Sequence, residues 1–96
     1  MDTARDNTSG NTTITLVYFA WVREKIGRPR DEISIPAGIA TVADLIAHLR
    51  SQGAEYEAAF SRPELVRAAI DHVHARPDAP LGSAREIAFF PPVTGG

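Results

Sequence analysis

Apolar positions along this chain follow two periods, two residues in some stretches and three to four in another, and the switches between them mark out the elements. Thr13 to Val22 is rich in β-branched and aromatic residues and predicts a first strand. Ile14, Leu16 and Tyr18 share one face and enter the core, while Thr15, Val17 and Phe19 share the other. A strand with one wet face carries polar residues there, so Val17 and Phe19 imply a second covered face or a partner-binding patch. Asp31 to Ile35 predicts a second strand with Ile33 and Ile35 inward, near enough in sequence to form an antiparallel hairpin with the first. Between them, Arg23 to Arg30 carries four basic residues. It reads as a charged turn with a short helical piece ended by Gly27, solvated rather than built to meet an acidic or phosphate-bearing surface.

The period then changes. Val42, Leu45, Ile46 and Leu49 fall at i, i+3, i+4 and i+7, the single buried stripe of a helix. Thr41 is the expected N-cap, with Asp44 placed to favour the positive helix end, and Gly53 is the expected stop. A further helical turn over Ala54 to Phe60 seats Tyr56 or Phe60 on the core, and Pro63 breaks it. Leu65 to Ile70 predicts a third strand with Val66, Ala68 and Ile70 inward. Asp71-His72 then makes a two-residue turn into a brief return strand, Val73 to Ala75. Pro77 to Ser83 is loop, and Glu86 to Phe90 is the last strand, burying Ile87 and Phe89.

Composition narrows the class. The chain has 96 residues, 44% hydrophobic and 23% charged, which predicts one globular domain with a modest core. Residues 1–12 form a polar leader without periodicity, residues 13–90 the domain, and residues 91–96 a tail. No apolar run approaches the roughly 18 residues of a membrane span, and no apolar leader marks secretion, so a cytoplasmic place is expected, with no membrane partner. A formal net charge of −2 argues against a general nucleic-acid binder. There is no cysteine, which removes disulfides and thiolate chemistry from this chain. His72 and His74 form a lone His-x-His pair; zinc needs three or four ligands, so no metal is expected.

The remaining candidate chemistry lies at the C-terminus. After Phe90 come Pro91 and Pro92, which lack ladder donors and favour extended backbone, then Val93, Thr94, Gly95 and Gly96. Six extended residues span at most about 20 Å, enough to carry a terminal carboxylate into a pocket of another protein. Two glycines remove every Cβ from the last positions and let the backbone pass a narrow channel. A frayed end that happens to contain glycine is the plainer alternative.

The order strand, strand, helix, strand, short strand, strand is α+β and resembles the ubiquitin-like β-grasp fold: a small mixed sheet with one main helix across a face. Val17-Tyr18-Phe19-Ala20-Trp21-Val22-Arg23-Glu24 and Ala88-Phe89-Phe90-Pro91-Pro92-Val93-Thr94-Gly95-Gly96 resemble the small, sulfur-carrying subunits of molybdopterin synthases. Ala68 to Asp71 and Pro80-Leu81 match more loosely. The chain departs from the usual family pattern at Asp71, at His74 and in the loop Ser83 to Glu86. The resemblance implies that an adenylyltransferase of the ubiquitin-activating type uses ATP to adenylate Gly96, and that a persulfide donor converts it to a thiocarboxylate. The thiocarboxylate would then give sulfur to cyclic pyranopterin monophosphate in a pocket of the large synthase subunit, within a heterotetramer. The chain itself would be a carrier, not an enzyme, and would hold no cofactor stably. Phe19, Phe90, His74 and Val17 are the expected partner-binding residues. A thiamine-pathway sulfur carrier, a ubiquitin-like modifier and a β-grasp interaction module remain open alternatives.

Overall fold

The computed structural model describes residues 12–92. Five strands form one sheet: β1 (Thr12–Tyr18), β2 (Arg30–Ile35), β3 (Arg67–Ile70), β4 (Val73–Ala75) and β5 (Glu86–Phe90). Their spatial order is β2-β1-β5-β3-β4. β1 and β5 are parallel at the centre, and the β1–β2, β3–β4 and β3–β5 pairs are antiparallel. Three helices join them: α1 (Ala20–Ile26), α2 (Val42–Arg50) and α3 (Ala54–Phe60), followed by a 3₁₀ turn at Pro63–Leu65. This is the mixed α+β sheet of a ubiquitin-like β-grasp, with α2 as its longest helix.

All three helices bury residues in the same cluster as one face of the sheet. Val22 and Ile26 of α1, Leu45, Ile46 and Leu49 of α2, and Tyr56 and Phe60 of α3 meet Ile14, Leu16, Ile35, Ile87 and Phe89. Ile33 packs against this cluster at its edge. The Phe89 ring lies edge-on to Phe60 at 5.1 Å and stacked with Tyr18 at 6.4 Å. Each large apolar side chain taken out of water here contributes about 1.5–3 kcal/mol before the entropy of ordering is charged against it.

Local chemistry explains several boundaries. Thr41 Oγ1 accepts from the Asp44 N–H (3.1 Å) while the Asp44 carboxylate accepts from the Thr41 N–H (3.2 Å), a reciprocal cap that starts α2. Asp71 and His72 both have positive φ, 48° and 74°, and turn β3 into β4 with Ile70 facing Val73. The Asp71 carboxylate also accepts from the N–H groups of Arg85 and Glu86, at 3.0 and 2.9 Å, and so fixes where β5 begins.

Three sequence expectations are corrected. The first strand stops at Tyr18, not Val22, because Ala20 takes φ 54° and turns the chain directly into α1. Trp21 and Val22 look strand-like by composition, yet Val22 and Ile26 form an i, i+4 pair that the helix buries. The short helical piece expected before Gly27 is thus the second half of α1, and Gly27 closes it at φ 91°. Gly53 does not end α2. That helix closes at Ser51, whose N–H donates to the His48 carbonyl, and Gly53 is extended and precedes α3. Leu65 belongs to the 3₁₀ turn, so β3 begins at Arg67.

Candidate functional site

Alternation along the strands gives the sheet a second face, directed away from the helices. Ladder register places Arg30, Val17, Ala88, Ala69 and His74 side by side across all five strands on that face. Phe90 lies one step further along β5, opposite Arg67 of β3. The His74 ring meets the Phe90 ring edge-on, with centroids 5.5 Å apart. Val17, Ala69, Ala88 and Phe90 are half-buried and His74 is exposed.

Phe19 is not a strand residue, contrary to the sequence expectation. Its backbone remains extended, φ −126° and ψ 152°, and caps α1, while its N–H donates to the Phe89 carbonyl at 3.0 Å. The alternation therefore runs one residue past the strand and sets Phe19 on the face of Val17. Phe19 is 51% exposed. Ala20 holds this junction in a left-handed conformation that costs a non-glycine residue about 1–2 kcal/mol. The end of β5 that carries Phe90 is also the end from which the chain leaves the sheet, through half-buried Pro91 and Pro92. Patch and tail root are thus continuous. Val93, Thr94, Gly95 and Gly96 lie outside the described residues.

Beneath this end sits a polar network that sequence reasoning missed. The Tyr18 hydroxyl donates to Asp31 Oδ2 at 2.8 Å, and the Tyr56 hydroxyl donates to the same oxygen at 2.5 Å. Arg28 donates through Nε to Asp31 Oδ1 (2.5 Å) and through Nη2 to the Tyr56 oxygen (2.7 Å). Its guanidinium also lies 5.4 Å from the Tyr56 ring centroid. Arg28 is thus no solvated loop cation; it ties the α1–β2 turn to α3. Burial, and then the bond to Asp31, push the Tyr18 hydroxyl far above the ordinary tyrosine range. Burial pushes the Asp31 carboxyl up, but the bonds from Arg28, Tyr56 and Tyr18 outweigh it and hold the group below the usual carboxylate range. No local pattern announces this network, since its members lie 3 to 28 residues apart.

His72 stands in the positive-φ turn and His74 on the open face. Among the described residues no cluster of His, Asp and Glu side chains is arranged to hold a metal ion. Nor, among them, is any helix long and apolar enough to cross a membrane.

Comparison with known proteins places this geometry. The model of the ThiS family matches residues 16–96. The chain belongs to the ThiS family. Two curated relatives align over 83 residues, 86% of this chain and 99% of each relative. They are the molybdopterin synthase sulfur carrier subunits of Escherichia coli, 37% identical, and Haemophilus influenzae, 34% identical. Among solved structures, small archaeal modifier protein 1 of Haloferax volcanii superposes with a TM-score of 0.64 at 20% identity, covering 84% of this chain and 98% of that one. At that identity the likeness shows the fold alone. In this ThiS-family chain the matched span takes in the whole open face from Val17 onward, together with the tail.

Proposed function

We propose that this ThiS-family chain is the sulfur carrier of a molybdopterin synthase and works through the carboxyl group of Gly96. The observation that carries the reading is 37% identity with the Escherichia coli sulfur carrier subunit across 99% of that protein. A C-terminal carboxyl has a pKa of about 3.5, so at neutral pH it is an anion and a poor electrophile. Attack of its oxygen on the α-phosphorus of ATP expels pyrophosphate and gives an acyl adenylate. The outer sulfur of a persulfide donor then displaces AMP at the carbonyl carbon to give an acyl disulfide. A thiol of the donor system cleaves its S–S bond, forming a donor disulfide and releasing a thiocarboxylate whose soft sulfur attacks cyclic pyranopterin monophosphate. The activating enzyme and the large synthase subunit supply the pockets for these steps. This chain supplies the reacting terminus, and no cysteine of its own is needed.

The open face supports the reading physically. Val17, Phe19 and Phe90, with His74 at the rim, offer apolar area at the root of the tail, where a partner can grip the domain and receive the terminus together. Both curated relatives are molybdopterin synthase subunits, which favours this reading over a thiamine-pathway carrier or a protein modifier. The test is intact mass spectrometry after incubation with ATP, the activating enzyme and a sulfur donor. The expected result is a gain equal to the exchange of one oxygen for sulfur, lost on adding the large subunit and its pterin substrate. No mass change under conditions that load a known carrier would reject the proposal.

A further inference from the structure

The register that assembles the open face also sorts its charges, and this inference rests on the carrier reading above. Arg67 lies opposite Phe90, and Arg30 lies opposite Val17. One step toward the other end of the sheet, Glu32 and Glu86 flank Thr15 on the same face. Successive same-face positions along a strand are about 6.6 Å apart, so a basic end and an acidic end are separated by one or two such steps. Between the rows of Arg67 and Glu86 lie Val17, Ala88 and Ala69, in the row that Arg30 ends, small side chains that give a partner little rotational register.

Burying a guanidinium without an anionic partner is costly, and the planar fork of arginine matches a carboxylate with two parallel bonds. Among the described residues Arg67 donates only to the Glu64 carbonyl, at 3.1 Å, which leaves most of its donors for another partner. We propose that the surface docking on this face carries carboxylates against Arg30 and Arg67 and cations against Glu32 and Glu86. The large synthase subunit is that partner. A subunit rotated half a turn about the sheet normal would set like charges against each other at both ends. Charge therefore fixes the direction in which the tail is delivered, and the apolar centre supplies adhesion.

The experiment is titration of the carrier into the large subunit of the same organism, at low and at high salt. Arg30→Glu combined with Arg67→Glu should weaken binding about tenfold or more at low ionic strength, with the gap narrowing at high salt. Glu32→Lys should weaken it in the same sense. Arg76→Glu, a highly exposed cation in the segment after β4, should change little. Arg67→Gln, a neutral change at an exposed position, gives a smaller loss and keeps the test valid if the double reversal does not fold. Unchanged affinity for the reversed variants, or an equal loss for Arg76→Glu, would overturn the inference while leaving the carrier reading intact. A wild-type chain that does not bind the large subunit at all would overturn both.

Discussion

The two faces of the sheet are written by the same strands, one residue out of phase, and they are finished differently. On the inner face Leu16, Tyr18, Ile87 and Phe89 are at most 1% exposed and lie under three helices. On the outer face their immediate neighbours Val17, Ala88 and Phe90 are only half-buried, and Phe19 is largely open to solvent. The inner residues are large and interlock, as close packing demands. The outer ones are apolar yet small at the centre and charged at the ends, as the proposed docking surface requires. β5 serves both faces and then becomes the tail. On the proposed function, the comparison predicts that folding and delivery can be disturbed separately.

Truncating the inner face gives the largest expected effect. Leu45→Ala removes a fully buried side chain from α2 and should cost on the order of 2–5 kcal/mol of stability. A melting temperature within a degree or two of wild type would mean that the helix layer does not carry the fold. Phe90→Ala is the matching cut on the outer face. An aromatic anchor at an interface centre typically contributes about 2 kcal/mol or more to binding, so calorimetry should show weakened association with the large subunit and a cooperative melt. Equal affinity would remove the outer face from the docking surface.

A smaller effect tests the polar network at the edge of the inner face. The Asp31 carboxyl is held below its ordinary range in the folded chain, so its contribution is fully present above about pH 4 and is lost as pH falls through the folded value. Asp31→Asn should therefore cost roughly 1–2 kcal/mol at neutral pH and flatten the acid limb of the stability curve. Parallel acid limbs for the two proteins would show that the carboxylate contributes nothing through its charge.

Legibility in the sequence follows the range of the interactions. The cap at Thr41 and Asp44, the turn at Asp71-His72 and the buried pair Ile87 and Phe89 are local or strictly periodic, and each is readable from the chain alone. Helix α1 is readable only in part: its close at Gly27 is, but its Trp21-Val22 opening has strand-like composition and only the positive φ of Ala20 reveals the break. Val17, Phe19 and Phe90 stand out by alternation against the expectation of a wet face. Ala69, Ala88, Arg30 and Arg67 join them only through ladder register, which single-strand patterns do not contain. Arg28 reads as one more cation in a charged turn until Asp31 and Tyr56 are seen around it.

The most direct test of the account is deletion of Gly96. The shortened chain still ends in a glycine carboxylate, but that group is withdrawn by up to about 3.5 Å, one extended residue. Reacting atoms must approach to roughly 3–3.5 Å, so molybdopterin formation with the large subunit should be abolished. The core closes between Ile14 and Phe89, and stability should stay within about 0.5 kcal/mol of wild type, as for a site outside it. Loss of activity beside an unchanged melting curve is the predicted result. A Gly96-deleted chain that forms molybdopterin at the wild-type rate would contradict the claim that this protein acts through its terminus.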